Sequence, residues 1–223
     1  MAKTYSIAID GPAASGKSTV AKEVAKALNY IYIDSGAMYR ALTLKALRSN
    51  IDVKDEASLV EMTKVSKITL DGIHIYLDDE DVSEAIRSID VTNNVSAVSS
   101  YEGVREEMVN LQKEYGRKGG IVMDGRDIGT TVFPNAELKI FQIASVEERA
   151  NRRYKENMRK GIACDLNTLK EEIKVRDFKD STRSVSPLRK ASDAIELDTS
   201  NLEPKEVVDR IIELARKIIE SEE

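Results

Sequence analysis

The chain contains no tryptophan, only one cysteine, Cys164, and only one histidine, His74. A single cysteine excludes an intrachain disulfide and a cysteine-based metal cluster, and this scarcity is typical of a reducing compartment. A single histidine argues against a histidine-rich metal site and against a nucleophilic triad that depends on histidine. His74 lies in the alternating segment ITLDGIHIYLDD, which predicts an ordinary strand side chain.

Long apolar runs are also missing. No stretch approaches the roughly 20 apolar residues that span a bilayer, and the apolar run within MAKTYSIAIDG is too short for a signal peptide. The formal net charge of -5 argues against non-specific binding to nucleic acids or anionic membranes. We therefore expect a cytoplasmic protein with neither a membrane nor a nucleic acid as its partner.

What the sequence does contain is a regular alternation of strand and helix patterns. Strands are predicted at 6–10, 30–34, 121–123, 138–143 and 194–197. Helices are predicted at 16–29, 36–48, 55–64, 91–98, 104–115, 145–160, 166–178 and 204–220. This order indicates an α/β fold with a mostly parallel sheet covered by helices on both faces. A chain of 223 residues, 41% of them hydrophobic, suffices for one such domain, 1–223.

One segment departs from this alternation. In ITL-DG-IHIYL, Asp71 and Gly72 separate two alternating runs, and this dipeptide is typical of a hairpin turn because both residues tolerate positive φ. A hairpin inside a strand–helix–strand chain predicts a small insert at about 63–86.

The strongest motif follows the first predicted strand. The segment GPAASGKS, residues 11–18, matches G-x-x-x-x-G-K-[ST] between a strand and a helix. Backbone N–H groups and the helix N-terminus of such a loop bind phosphate, Lys17 contacts the β and γ phosphates, and Ser18 places its hydroxyl on Mg²⁺. The predicted ATP-binding residues are Gly11, Pro12, Ala13, Ala14, Ser15, Gly16, Lys17, Ser18 and Thr19. An N-K-x-D segment for reading guanine is absent from the sequence, and the length favours a small kinase.

Two further clusters follow predicted strands and indicate a second, anionic substrate. The segment DSGAMYR places Ser35, Tyr39 and Arg40 after the second strand. The segment DGRDIGT places Asp124, Arg126 and Asp127 after the apolar run IVM. Ligands of open α/β sheets bind at the carboxyl ends of the strands. There an arginine can hold a phosphate, and an aspartate can orient the waters of Mg²⁺ or accept hydrogen bonds from an amino group of the substrate.

The region 149–190 is basic within an acidic chain, with thirteen Lys and Arg against six Asp and Glu. A charge-rich helix is usually a solvated surface. Phosphoryl transfer, however, spreads negative charge over the transferring oxygens, and a mobile segment that carries arginines could stabilise that charge and exclude water. We expect this role for a subset of these arginines.

Taken together, IDGPAASGKST, DSGAMYRA, the hairpin insert, VREEMVNLQ and VMDGRDIGTTVFP resemble the bacterial cytidylate kinases over essentially the full chain. The resemblance implies a P-loop NTPase fold with a five-stranded parallel sheet, an insert that binds the nucleoside monophosphate, and a helical lid at about 150–170. It implies a monomer that transfers the γ-phosphoryl group of ATP to CMP or dCMP with Mg²⁺, in pyrimidine nucleotide metabolism.

The resemblance also assigns roles to residues that match the family motifs. The CMP-binding set is Ser35, Tyr39, Arg40, Ser96, Arg105, Asp127, Arg176, Asp180 and Arg183. Within it, Ser96 and Arg105 read the base. Arg40 and Arg176, together with Arg126, contact phosphate, and Asp127, Asp180 and Arg183 approach the ribose or its surroundings. Arg152 and Arg153 match lid arginines. The implied catalytic set is Lys17, Arg126, Asp127, Arg176 and Arg152.

Phosphoryl transfer depends on positioning and electrostatics, so we expect direct in-line transfer without a protein nucleophile or a phosphoenzyme. Three alternatives stay open on the residues alone. The first is a P-loop kinase for another small substrate, such as shikimate, gluconate or a different nucleoside monophosphate. The second is a nucleotide-binding regulator without its own transfer reaction. The third is an RNA-binding role for the basic region, which the aromatic content of 5% disfavours because single-stranded RNA sites stack bases on aromatic rings.

Overall fold

A computed structural model describes residues 4–72, 74–117 and 119–221. The strands are β1 Ser6–Asp10, β2 Ile31–Asp34, β3 Ile68–Asp71, β4 His74–Leu77, β5 Glu80–Asp81, β6 Ile121–Gly125, β7 Leu138–Ile143 and β8 Ile195–Asp198. The helices are α1 Lys17–Leu28, α2 Ser35–Arg48, α3 Glu56–Lys64, α4 Ile89–Val98, α5 Glu102–Gly116, α6 Val146–Arg159, α7 Leu166–Thr182 and α8 Pro204–Ser221. A 3₁₀ turn spans Ala85–Arg87, and a wide helical turn spans Ile128–Val132.

The main sheet has five parallel strands in the order β2-β6-β1-β7-β8. Alternate residues of each strand face opposite sides. Ala8 and its neighbour Met123 are buried on one side, with α2, α4 and α5. Ile7 and its neighbour Val122 are buried on the other side, with α1 and α8. The sequence prediction of a parallel α/β sheet with helices on both faces is therefore confirmed.

Every predicted helix and every predicted strand of the main sheet is present, with ends that differ by at most four residues. The largest difference lies in α7, which continues from the predicted end at Phe178 to Thr182. The continuation makes Asp180 a helical residue.

The predicted hairpin also forms, but its turn was placed one residue too early. Asp71 is the last residue of β3 and pairs with His74, so Asp71 belongs to the strand and the turn lies after it. Residue 73 lies outside the described residues. This register sets the buried Ile75 and Leu77 opposite Leu70 and Ile68. A turn centred on Asp71 and Gly72 would instead set Leu77 opposite the polar Ser66.

The sequence prediction missed β5, which makes the small sheet three-stranded. Strand β5 follows a tight turn in which Asp78 and Asp79 have φ of 50° and 70°. Both carboxylates are paired, Asp78 with Lys45 and Asp79 with Lys67, at 2.6 Å each. The small sheet shares one apolar cluster with α2, since Ile75 is buried in the same cluster as Leu42.

No helix among the described residues is both long and apolar enough to cross a membrane.

Candidate active site

A cleft of about 1410 Å³ opens at the carboxyl ends of β2 and β6 and over the loop that joins β1 to α1. Pockets for one small ligand usually enclose about 300–1000 Å³. The larger volume here provides room for two substrates side by side. Its position agrees with the general rule for ligand sites in open α/β sheets.

The loop between β1 and α1 is held from behind by buried side chains. Arg149 donates to the carbonyl of Ala13 at 3.2 Å, and Gln142 donates to the carbonyl of Ser15 at 2.6 Å. Because C=O and N–H point in opposite directions across a trans peptide, these bonds turn the next N–H groups away from the protein interior. Gly16 precedes α1 with a φ of 86°, a conformation that favours glycine.

Lys17 is the first residue of α1 and is almost fully buried beside the cleft. Its ammonium donates to the carbonyl of Pro12 at 3.2 Å. Burial lowers the pKa of Lys17 to about 7, and the charge of Arg126 acts in the same direction. A bound polyphosphate would favour the charged form, since an opposite charge nearby raises the pKa of an amine.

Ser18, the next residue, is joined to the end of β6. Its hydroxyl donates to one carboxylate oxygen of Asp124 at 2.8 Å, and the hydroxyl of Tyr32 donates to the other at 2.8 Å. Burial, followed by the charge of Asp34, raises the pKa of Asp124 to about 6. A hydroxyl and a carboxylate beside a phosphate-binding loop are the oxygen ligands that Mg²⁺ prefers, so these residues fit the predicted ion.

Four guanidinium groups gather in the same cleft. They belong to Arg40, Arg126, Arg153 and Arg176. Burial lowers the pKa of Arg176 to about 10, and the charge of Arg126 adds to this effect. The buried Nε of Arg176 has no hydrogen-bond partner within the described residues. Like charges held together in this way favour the binding of an anion such as a phosphate.

Asp180 partly balances this cluster. Its carboxylate accepts from the Nε of Arg126 at 2.9 Å and lies 3.9 Å from the Nε of Arg176. Burial alone would raise the pKa of Asp180, but the charges of Arg126 and Arg176 hold it below its ordinary value. Asp180 therefore stays ionised, orients the guanidinium of Arg126 by a hydrogen bond and offsets part of the charge of Arg176.

Asp127 organises a second buried group deeper in the cleft. Its carboxylate accepts from Arg105 at 2.5 Å and from Arg183 at 3.4 Å. Arg105 also donates to the carbonyl of Ser99 at 3.1 Å, and its guanidinium lies 5.4 Å from the centroid of the Tyr39 ring. The buried Nε of Arg105 lacks a partner among the residues that the structure describes. This group presents both donors and acceptors, as the recognition of a polar heterocycle requires.

The structure brings most of the sequence-predicted site residues to this one cleft. The lining includes Ala13, Ala14, Ser15, Gly16, Lys17, Ser18, Thr19, Ser35, Tyr39, Arg40, Arg105, Arg126, Asp127, Arg152, Arg153, Arg176, Asp180 and Arg183. Gly11, Pro12 and Ser96, although described, are not part of the lining. Ser96 lies on α4 between Thr92 and Ser99, which do line the cleft.

The arginines of α6 take two different positions. Arg149 is buried and pairs with Asp177 of α7 at 2.6 Å. Arg152 is partly exposed and donates to the carbonyls of Ser15 at 2.9 Å and Thr199 at 2.7 Å. In this arrangement Arg149 lies behind the loop, while Arg152 reaches the cleft.

Sequence reasoning missed Gln142, which lines the cleft, and Asp10 and Tyr32, which hold residues at or next to the cleft in place from outside its lining. Asp10 accepts backbone N–H groups of Ile128 and Gly129 at 2.8 and 2.7 Å. Burial raises the pKa of Asp10 to about 7, although these two bonds oppose the shift. The sequence signal for Asp10 was a charged residue that ends an otherwise apolar strand. The pattern offered no comparable signal for Gln142 on β7.

A model of the cytidylate kinase family matches residues 7–217. The cytidylate kinase of Bacillus subtilis is 57% identical over 217 residues, which cover 96% of this chain and 97% of that protein. The cytidylate kinase of Enterococcus faecalis is 59% identical over 207 residues, with coverage of 91% and 92%.

Two solved structures share the fold. A gluconokinase from Sinorhizobium meliloti aligns with a TM-score of 0.51 at 14% identity, covering 99% of this chain and 97% of its own. A shikimate kinase from Bacteroides thetaiotaomicron aligns with a TM-score of 0.50 at 15% identity, covering 96% and 99%. At such low identity these likenesses bear on the fold alone.

Proposed function

This chain belongs to the cytidylate kinase family, and from that premise we propose that it transfers the γ-phosphoryl group of ATP to CMP or dCMP, forming ADP and CDP or dCDP. The observation that carries the proposal is the cleft itself. A phosphate-binding loop with Lys17 and a guanidinium cluster with Arg126 and Arg176 line the same cleft. Two anionic substrates would meet where these two groups of residues adjoin.

ATP is the proposed ligand of the loop side. The backbone N–H groups of the loop and Lys17 would hold the β and γ phosphates. Ser18 and Asp124 would hold Mg²⁺, which when bound neutralises charge on the phosphates. Arg152 lies beside Ser15 and Thr199, where it would contact the donor nucleotide.

CMP is the proposed ligand of the opposite side. Arg40, Arg126 and Arg176 would bind its phosphate, and Ser35 and Tyr39 line the same wall. The buried donors and acceptors of Arg105, Asp127 and Arg183 would read the base and approach the ribose with Asp180. Ser96 stays a predicted base contact, and it would have to approach from α4.

An oxygen of the acceptor phosphate is the nucleophile. The residues of the cleft therefore need only position the two substrates and neutralise the charge of their phosphates. A phosphate monoester is largely ionised near neutral pH, which makes a strong general base unnecessary. Bringing two phosphates together without neutralising groups would be opposed by their like charges. The guanidinium cluster and Lys17 reduce that repulsion, and direct in-line transfer without a phosphoenzyme follows.

Two segments flank the cleft and are proposed to serve the substrates. Residues at about 63–86 would form an acceptor-binding insert, since Glu84 and Ile86 at its end line the cleft. Residues at about 150–170 would form the lid, since Arg153 and Arg159 line the cleft. That the protein acts as a monomer, without a nucleic acid partner, stays a prediction.

The test is an ADP-release assay with ATP and Mg²⁺ over a panel of CMP, dCMP, UMP, AMP, GMP, gluconate and shikimate. We expect fast turnover with CMP and dCMP. A folded Lys17→Ala variant should lose about 3 kcal/mol or more of transition-state stabilisation. Turnover with shikimate or gluconate instead, or ATP binding without any transfer, would contradict the proposal and favour the other kinase or the regulator.

A further inference from the structure

Asp10 is a buried carboxylate that the proposed reaction does not use. It is the last residue of β1, directly before the phosphate-binding loop, and is only 5% exposed. One carboxylate oxygen accepts the backbone N–H of Ile128 at 2.8 Å, and the other accepts that of Gly129 at 2.7 Å. A single side chain thus fastens the segment after Asp127 to the strand that leads into the loop.

These two N–H groups begin the wide helical turn at 128–132, where a helix leaves its first N–H groups without internal partners. The residue just before a helix usually binds them with its own side chain, and aspartate is among the best residues for this purpose. Asp127 occupies that position but makes no such bond. Its carboxylate turns instead to Arg105 and Arg183.

We infer that Asp10 is a positioning residue that caps this helical turn in place of Asp127 and thereby keeps the Asp127 carboxylate directed at Arg105 and Arg183. Asp10 lies outside the lining of the cleft, so it acts through Asp127 and does not touch a substrate. The inference rests on the proposed function only in assigning Asp127 and Arg105 to the acceptor side.

Removing the Asp10 side chain would leave two backbone N–H groups without their acceptor. The N–H groups of Ile128 and Gly129 would be buried without partners, which is costly. The nearest carboxylate able to satisfy them is Asp127, by the local capping bond that aspartate commonly makes. If Asp127 turned to cap them, Arg105, which is 2% exposed, would lose its carboxylate partner. The loss of Asp10 would therefore weaken the binding of the acceptor substrate.

The first experiment compares Asp10→Ala and Asp10→Asn with the wild type, using CMP as the acceptor. We expect a rise of about tenfold or more in the KM for CMP with Asp10→Ala, as for other residues that orient a site from behind. The KM for ATP should change by less than about twofold, since the loop carbonyls are held by other side chains. Asp10→Asn, whose amide oxygen still accepts one of the two bonds, should give an intermediate rise in the KM for CMP. It also keeps the test possible if the alanine variant does not fold.

Asp55→Ala is the matched control for Asp10→Ala, because alanine removes the cap while asparagine would keep it. Asp55 caps α3 by accepting the N–H of Ser58 at 3.1 Å, and it is not among the residues that line the cleft. Losing this cap should lower the melting temperature but leave the KM for CMP unchanged. If Asp10→Ala does the same, Asp10 is merely structural and the inference is wrong.

A double-mutant cycle tests whether Asp10 acts through Asp127. In an Asp127→Asn background, adding Asp10→Asn should change the KM for CMP by less than about twofold. Multiplicative effects of the two changes would overturn the inference.

A crystal structure of Asp10→Ala or Asp10→Asn gives a readout that needs no activity. We expect the Asp127 side chain to bond the N–H of Ile128 or Gly129, and an Asp127 that still faces Arg105 would contradict us. If the wild type turned over no CMP, the proposed function would be wrong. The position of the Asp127 side chain in the variant structure would still test the inference about Asp10.

Discussion

The hydroxyl of Ser18 donates to the carboxylate of Asp124 at 2.8 Å and so joins the start of α1 to the carboxyl end of β6. The two residues lie 106 positions apart in the chain. The contact exists because parallel strands β1 and β6 are neighbours, with Ile9 beside Asp124. It places a hydroxyl and a carboxylate where a bound Mg²⁺ would meet the phosphates of ATP.

Asp124→Asn is expected to weaken Mg²⁺ binding. An amide keeps the shape of the side chain but removes the charge, so the Mg²⁺ concentration for half-maximal activity should rise by about tenfold or more. Tyr32→Phe removes only the hydroxyl that orients Asp124 and should have a smaller effect. Asp78→Asn, which breaks the surface pair with Lys45, is the control and should leave the Mg²⁺ titration unchanged. Equal titration curves for Asp124→Asn and wild type would exclude Asp124 as a ligand.

Lys17 is expected to take up a proton when ATP binds. Burial lowers the pKa of Lys17 to about 7, so at pH 8 most of the free protein carries a neutral amine. Bound phosphates favour the ammonium, and the affinity for ATP should therefore fall as the pH rises above about 7. Calorimetry at pH 8 in two buffers of different ionisation enthalpy measures the uptake. Lys17→Arg keeps a permanent charge and should abolish the uptake, whereas undiminished uptake would assign the proton to another group.

The sequence could predict the parts of this site that depend on local pattern. The loop at 11–18 has a fixed spacing, and the segments at 34–40 and 124–127 each follow an apolar strand. Since the carboxyl ends of parallel strands share one edge of the sheet, these segments had to meet. The five-stranded sheet and its flanking helices followed from the same alternation of patterns.

Contacts between distant residues could not be predicted in this way. Asp10 caps a turn that begins 118 positions later, and the sequence does not show that Asp127 is diverted to Arg105. Arg149 was one of thirteen basic residues in a charge-rich region, and only the packing of α6 on α7 distinguishes it as buried. The hairpin turn shifted because burial of Leu77 outweighed the local preference of Asp71 and Gly72.

Asp177→Asn is expected to lower the free energy of unfolding by about 2–3 kcal/mol. The guanidinium of Arg149 is buried and pairs with Asp177 at 2.6 Å, and a buried charge without its partner is strongly destabilising. The value is placed just below the usual range of about 3–5 kcal/mol because the Asp177 side chain is 24% exposed. Chemical denaturation measures it. Asp209→Asn breaks the exposed pair with Lys205 and should cost less than about 0.5 kcal/mol. Similar costs for the two variants would contradict this view of Arg149.

Gly125→Ala is expected to impair acceptor binding in addition to stability. A Cβ at residue 125 would lie 2.6 Å from the hydroxyl oxygen of Ser35 and 2.6 Å from a methyl carbon of Ile128, too close for either to remain in place. Ser35 donates to the carbonyl of Asp124 at 2.7 Å, so its displacement would disturb the wall where CMP is proposed to bind.

Gly116→Ala separates these two effects of Gly125→Ala. Its Cβ would lie 2.3 Å from the ring of Phe133, outside the lining of the cleft, so it should destabilise the fold without changing the KM for CMP. Overpacking of this kind typically costs about 1–3 kcal/mol, and both variants should show it in thermal unfolding. Only Gly125→Ala should also raise the KM for CMP, because only its clash reaches Ser35. An equal rise in the KM for CMP in both variants would mean that loss of stability alone lowers the affinity. The contact between Gly125 and Ser35 would then have no specific part in acceptor binding.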